Sequence, residues 1–169
     1  SCSSVAFAYI GNRNGLNVLD FRGGKSADFF ARSGNIIEIA NLPGVKSTLL
    51  KSGNDIEAAV SLLKTMEEDK EYFLATGAHA AIVKKVGKGY KYLELQDPKN
   101  NGFKTLTTSV LKSRFGCKRS HKSYGVKLEK TNVLIDASSL KGNDEFKQIL
   151  GYVNTAETLQ KKGAGGHVK

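Results

Sequence analysis

The sequence predicts an α+β domain in which an N-terminal helix packs on a small antiparallel sheet. The first supporting observation is residues 2–12 (CSSVAFAYIGN), where Val5, Ala6, Tyr9 and Ile10 recur at helical spacing behind serines that suit a helix start. The second is residues 72–101, which read as a β-hairpin. An apolar strand carrying His79 leads into the reversal Val86-Gly87-Lys88-Gly89. A second strand follows, in which Tyr90, Tyr92 and Leu93 alternate with Lys91 and Glu94. The third is scale: 169 residues, 40% hydrophobic and 25% charged, make one domain able to close a core without metal or disulfide staples. That domain is read as residues 1–161, with a core over about 1–117, a C-terminal extension over about 126–161 and a flexible tail at 162–169.

The elements follow in order. Asn14-Gly15 closes the first helix, and residues 16–21 (LNVLDF) read as a short strand. Arg22-Gly23-Gly24-Lys25 is a turn without the spacing of a phosphate loop, leading into a short helix that Ser26 caps. Residues 36–40 read as a strand or irregular connector, broken by Pro43-Gly44. The clearest helix begins at the cap Asn54, with Glu57 in the capping-box position and Ile56, Ala59, Val60, Leu63 and Met66 on one apolar face. After the hairpin, Asn100-Asn101-Gly102 turns the chain, and residues 107–115 form a helix that Gly116-Cys117 stops. Residues 126–128 and 133–136 are the last strands, and 144–161 form an amphipathic helix through Phe146, Ile149, Leu150 and Val153.

The net charge of +10 requires an account. Its densest run is residues 112–130 (KSRFGCKRSHKSYGVKLEK), suited to nucleic acid, anionic lipid or an acidic protein, or simply to solubility. Few aromatics interrupt it, so nucleic-acid binding has only charge behind it. No run of eighteen apolar residues exists, which excludes a membrane-spanning helix. Two cysteines and three scattered histidines match no zinc pattern and demand no disulfide, which fits a reducing compartment.

The chemistry-bearing residues come from three places. His79 and Asp97 lie at the far ends of the two hairpin strands and meet at its open end, the arrangement in which a carboxylate orients an imidazole. Cys2 sits at a helix start, where backbone N–H groups and the positive dipole end favour a thiolate. A thiolate, an imidazole to shuttle its proton and a carboxylate to fix the tautomer suffice for attack on a carbonyl carbon. Gln96, beside Asp97, is placed either to hold a substrate or an oxyanion or simply to face outward. Cys117, with Arg114, Lys118, Arg119 and His121 nearby, offers a second thiol, but no carboxylate-bearing strand end is expected beside His121.

Three stretches, SSVAFAYIGNRNGLNVLDFRGG after Cys2, YFLATGAHAAIVKK and YKYLELQDPKNNGF, resemble the papain-fold toxin domain group. These domains occur at the C-termini of bacterial polymorphic toxins and in phage-associated head proteins, and are related in design to bacterial protein-glutamine deamidases. The resemblance spans residues 1 to about 117 and implies a papain-like core whose triad falls on Cys2, His79 and Asp97. It implies a toxin-like cysteine hydrolase acting on a protein amide, a deamidase or peptidase, with no metal or organic cofactor. It further implies a secreted or delivered effector working in a reducing target-cell cytoplasm, restrained by an acidic immunity protein. Two other classes stay open: a peptidoglycan amidase toxin using the same chemistry, and a non-enzymatic basic domain binding nucleic acid or another partner.

Overall fold

The computed structural model describes residues 2–16, 18, 29–97 and 99–155, which form an α+β fold on one antiparallel sheet. Among the described residues there are eight strands: β1 (Ser47–Ser52), β2 (Glu71–Thr76), β3 (His79–Val86), β4 (Gly89–Glu94), β5 (Gly102–Leu106), β6 (His121–Ser123), β7 (Val126–Leu128) and β8 (Lys130–Asp136). Six of them make the main sheet in the order β1-β8-β2-β3-β4-β5, while β6 and β7 pair on their own. The helices are α1 (Cys2–Arg13), α2 (Ser33–Ala40), α3 (Asp55–Leu63), α4 (Thr108–Ser113) and α5 (Asp144–Thr155).

The period of two along each strand divides the protein into layers. Phe73, Ala80, Ile82, Leu93, Val133 and Ile135 join one core cluster with α1, α2 and α5. Their neighbours Tyr72, Leu74, Ala81, Val83, Tyr92 and Leu134 join another with α3, Leu111 and Phe115. The sheet is therefore covered on both faces.

Helix α1 is the buried centre of the first layer, with every residue from Ser3 to Asn12 withdrawn from solvent. A helix made of small and apolar residues all round suits that position. Phe7 stacks on Phe73 at 4.3 Å and lies 5.3 Å from Phe30 and 6.0 Å from Phe146, tying helix, sheet and α5 together. A Cβ at Gly11 would come within 2.8 Å of Leu150 Cδ1, so the glycine lets α5 approach. In the second layer α3 begins as its sequence predicts: Asn54 Oδ1 accepts from Glu57 N at 3.0 Å.

Several expectations are revised. The stretch read as one hairpin strand is two, β2 and β3, joined by the turn Gly77-Ala78, so His79 opens a strand instead of lying within one. The β3–β4 reversal is as expected, with Val86 paired to Gly89. Residues 36–40 belong to α2, and β1, β5 and β6 arise where no strand was expected. The part beyond 126, read as an extension, supplies β8, which lies between β1 and β2. Residues 107–115 narrow to Thr108–Ser113, capped by Thr107. The expected strand at 16–21, the Arg22–Lys25 turn with its Ser26 cap, the end of the last helix and the tail lie wholly or mostly outside the described residues. No described helix is long and apolar enough to cross a membrane.

Candidate active site

The turn between β2 and β3 positions His79. Thr76 pairs with His79 across it, and Gly77 takes a φ of 61°, a left-handed value that suits glycine. Ala78 N donates to Phe115 O at 2.7 Å, docking the turn on the chain just after α4. The His79 ring then meets Phe115 edge-on, 5.0 Å between centroids, and Phe115 meets Tyr92 in the same manner at 5.8 Å.

The sheet opens on both sides of this turn. Registered pairs between β3 and β4 run from Val86–Gly89 to Val83–Tyr92. Towards His79 the strands border a narrow cleft lined by Cys2, Ala80, Ile82, Leu93, Glu94 and Gln96, with His79 itself in the wall. On the other side, β2 and β8 pair from Tyr72–Asp136 to Ala75–Val133. There a larger groove of about 630 Å³ is lined by Cys2, Ser3, Thr76, His79, Thr131 and Asn132 among others. The N-terminal end of α1 faces both openings, so Cys2 and His79, 77 positions apart, share two cavities.

Burial, and then the positive charge of Arg114, lower the His79 pKa to about 4, with Glu94 acting against them. At neutral pH the imidazole is therefore the free base, the form able to accept a proton. Glu94 is 5% exposed, its oxygens accepting from Arg114 Nε at 2.6 Å, Arg114 Nη2 at 3.1 Å and Gln96 N at 3.1 Å. Those Arg114 hydrogen bonds hold its carboxyl below the usual carboxylate range.

Of the residues chosen from sequence, Cys2, His79 and Gln96 share the narrow cleft. Asp97 follows Gln96, but its Oδ1 accepts from Lys99 N at 2.9 Å, and no hydrogen bond to His79 occurs among the described residues. The carboxylate whose charge acts on the His79 ring, together with Arg114, is Glu94, which sequence reasoning did not select. Its only signal was an acidic residue placed by strand alternation on the same side as Tyr92.

The second thiol–imidazole couple is not assembled. Cys117 is a buried free thiol, 3.5 Å from Thr76 Oγ1, and burial pushes its pKa up. His121 Nε2 lies 2.7 Å from Oδ2 of Asp55, a fully buried carboxylate that also accepts from Lys118 N at 2.9 Å. The expectation for His121 concerned strand ends alone; its carboxylate partner comes instead from a helix start in another part of the chain. Cys2 is likewise a free thiol, packed in the layer opposite Cys117. No group of three or more His, Cys, Asp or Glu side chains poised for a metal ion occurs among the described residues.

Comparison of the chain with protein-family models, curated proteins and solved structures found no match in any of the three.

Proposed function

We propose that this chain is a papain-like cysteine hydrolase that acts on a protein amide, either a glutamine side chain or a peptide bond. The observation that carries the reading is the meeting of Cys2, at the start of a buried helix, with His79 in the walls of the same two cavities. In the proposed reaction neutral His79 takes the Cys2 proton and Sγ bonds to the carbonyl carbon. The tetrahedral intermediate then collapses, its C–N bond breaks and His79 delivers the proton to the departing ammonia or amine. Water attacks the resulting thioester with His79 as base, releasing a carboxylic acid and restoring the thiol.

In this reading the oxyanion is met by the positive, N–H-bearing end of α1 at Cys2 and by the Gln96 amide. Asp97 orients the imidazole in this reading once its carboxylate turns from Lys99 towards the ring. The larger groove takes the polypeptide, its wall kept low by Ala75, Gly77, Ala78 and Ala80. An effector role in a reducing cytoplasm, with an acidic immunity protein steered by the +10 charge, belongs to the same proposal.

The test needs no substrate: alkylation of each cysteine by iodoacetamide is followed against pH by mass spectrometry, in the wild type and in His79→Ala. Cys2 is expected to react rapidly at acidic to neutral pH and to lose that advantage in the variant. Free-thiol behaviour near a pKa of about 8.5, indifferent to His79, would sink the reading.

A second reading has its own observation. The β6–β7 hairpin stands apart from the main sheet and exposes Tyr124, Val126 and Leu128 beside Lys122 and Lys127. Such a surface suits a binding domain for a polyanionic partner, and salt-dependent binding unaffected by Cys2→Ala is its signature.

A further inference from the structure

We infer that the Glu94–Arg114 ion pair is a positioning device for the Cys2–His79 couple, its two charges acting on that couple in opposite senses. The inference rests on the cysteine-hydrolase reading and adds two residues to its machinery. Glu94 comes from the end of β4 and lines the narrow cleft with Cys2, His79 and Gln96. Arg114 comes from the C-terminal end of α4 and is the neighbour in sequence of Phe115, on which the imidazole rests. Alternation along the strands explains the meeting, because Glu94 lies two residues beyond Tyr92, and Tyr92 and Phe115 share one face of the sheet.

The pair is built rather than incidental. Nε and Nη2 of Arg114 each reach a different Glu94 oxygen, at 2.6 and 3.1 Å, and Gln96 N adds a third donor. The Glu94 side chain is 7% exposed, so its charge is little screened. The Arg114 guanidinium interacts electrostatically with both Cys2 and His79. Other charged groups border the site with less reach. Glu129 and Lys130 line the larger groove but are exposed, and Asp97, which accepts from Lys99 N and is assigned above to orient the imidazole, is the same in every variant compared below.

The consequence is a sign rule. The state to be avoided is protonated thiol with protonated imidazole, which carries a positive charge. Arg114 opposes that state and Glu94 favours it, so each neutralisation moves the acid limb of Cys2 reactivity in a different direction. Glu94→Gln leaves the guanidinium unopposed and keeps Cys2 reactive to lower pH. Arg114→Gln leaves the carboxylate unopposed and moves the limb to higher pH. A merely structural pair would not behave so, since loosening the site moves both variants towards a free thiol.

The experiment is the iodoacetamide pH profile of Cys2 in the wild type, Glu94→Gln, Arg114→Gln and Arg114→Lys, with circular dichroism to establish folding. Opposite displacements of the acid limb, each about half a unit or more, with Lys restoring the wild-type position, are expected. Should Arg114→Gln fold poorly, the downward displacement in Glu94→Gln still decides, because unfolding cannot produce it. Two variants that match a reactive wild type, or that both move upward, overturn this inference and leave the hydrolase reading standing. A wild-type Cys2 that behaves as a free thiol overturns both.

Discussion

Replacing Gly77 by alanine tests how tightly the β2–β3 turn is held against α4. Two costs separate cleanly because the protein contains an internal control. Gly77 and Gly87 have nearly the same left-handed φ, 61° and 60°, and both sit in two-residue turns of the same meander. At Gly87 a Cβ would meet nothing within 4 Å. Alanine there loses only the conformational preference, about 1 kcal/mol. At Gly77 the Cβ would sit 2.5 Å from Phe115 O, 2.9 Å from Cys117 N and 3.0 Å from Gly116 C. All three are backbone atoms, which cannot swing aside as a side-chain tip does, so the turn must lift. Overpacking of that kind costs a further 1–3 kcal/mol or so, and lifting the turn also strains the Ala78 N–Phe115 O hydrogen bond.

Gly77→Ala is therefore expected to lose about 2–4 kcal/mol and Gly87→Ala about 1, read from equilibrium urea unfolding by circular dichroism at a common slope. Because Phe115 carries the His79 ring, the same variant should slow Cys2 alkylation at pH 6 while Gly87→Ala leaves it unchanged. Equal midpoints for the two variants would refute the docking argument. They would mean that the chain after α4 yields to the turn.

Other consequences are as direct. His79 titrates at about 4 in the folded chain against 6.5 for the unconstrained group, so the unfolded chain binds the extra proton between those values. Stability is then full above about pH 6.5 and falls as the pH drops towards 4. Urea midpoints at pH 7 and 4.5 should show a smaller fall in His79→Gln than in the wild type, and equal falls would contradict the assigned burial. Phe115→Ala removes a wholly buried ring that touches both His79 and Tyr92, and should cost about 3–5 kcal/mol by thermal or urea unfolding. His121→Ala strands the buried Asp55 carboxylate and should cost about 3 kcal/mol, with much of it recovered by adding Asp55→Asn; no recovery would show that the pair is not the source.

What was legible in the sequence was local. The α3 start could be read because Asn54 and Glu57 act within one turn, and the β3–β4 reversal because Gly87 and Gly89 break an otherwise regular alternation. The β2–β3 turn was hidden for the opposite reason. Residues 72–83 are apolar or small almost throughout, since both strands are covered on both faces, and Gly77 is the sole punctuation. Residues 36–40 span too few positions to separate helix from strand, and isoleucines favour the strand reading. The placement of β8 was beyond local reasoning: nothing in Lys130–Asp136 specifies that it pairs with β1 on one side and β2 on the other, with Ser47 opposite Ile135 at the far extreme. The same limit applied to Glu94 and Arg114, each an ordinary charged residue until the fold brings them together.

The location of the candidate site follows from this layering. Cys2 belongs to the α1 layer, whereas the His79 ring rests on Phe115 in the α3 and α4 layer. A continuous sheet would separate the two as it separates Phe7 from Leu111. They share cavities because the registered pairing stops at Val83–Tyr92 on one side of the β2–β3 turn and at Ala75–Val133 on the other. The turn itself is fixed from behind by Phe115 O, so the opening is held in place rather than frayed. Small side chains at Ala75, Ala78 and Ala80 keep it clear. Sequence features that look like weaknesses of a sheet, a glycine turn, a run of alanines and two ladders that end early, are thus what let a thiol from one layer border the same cavities as an imidazole from the other.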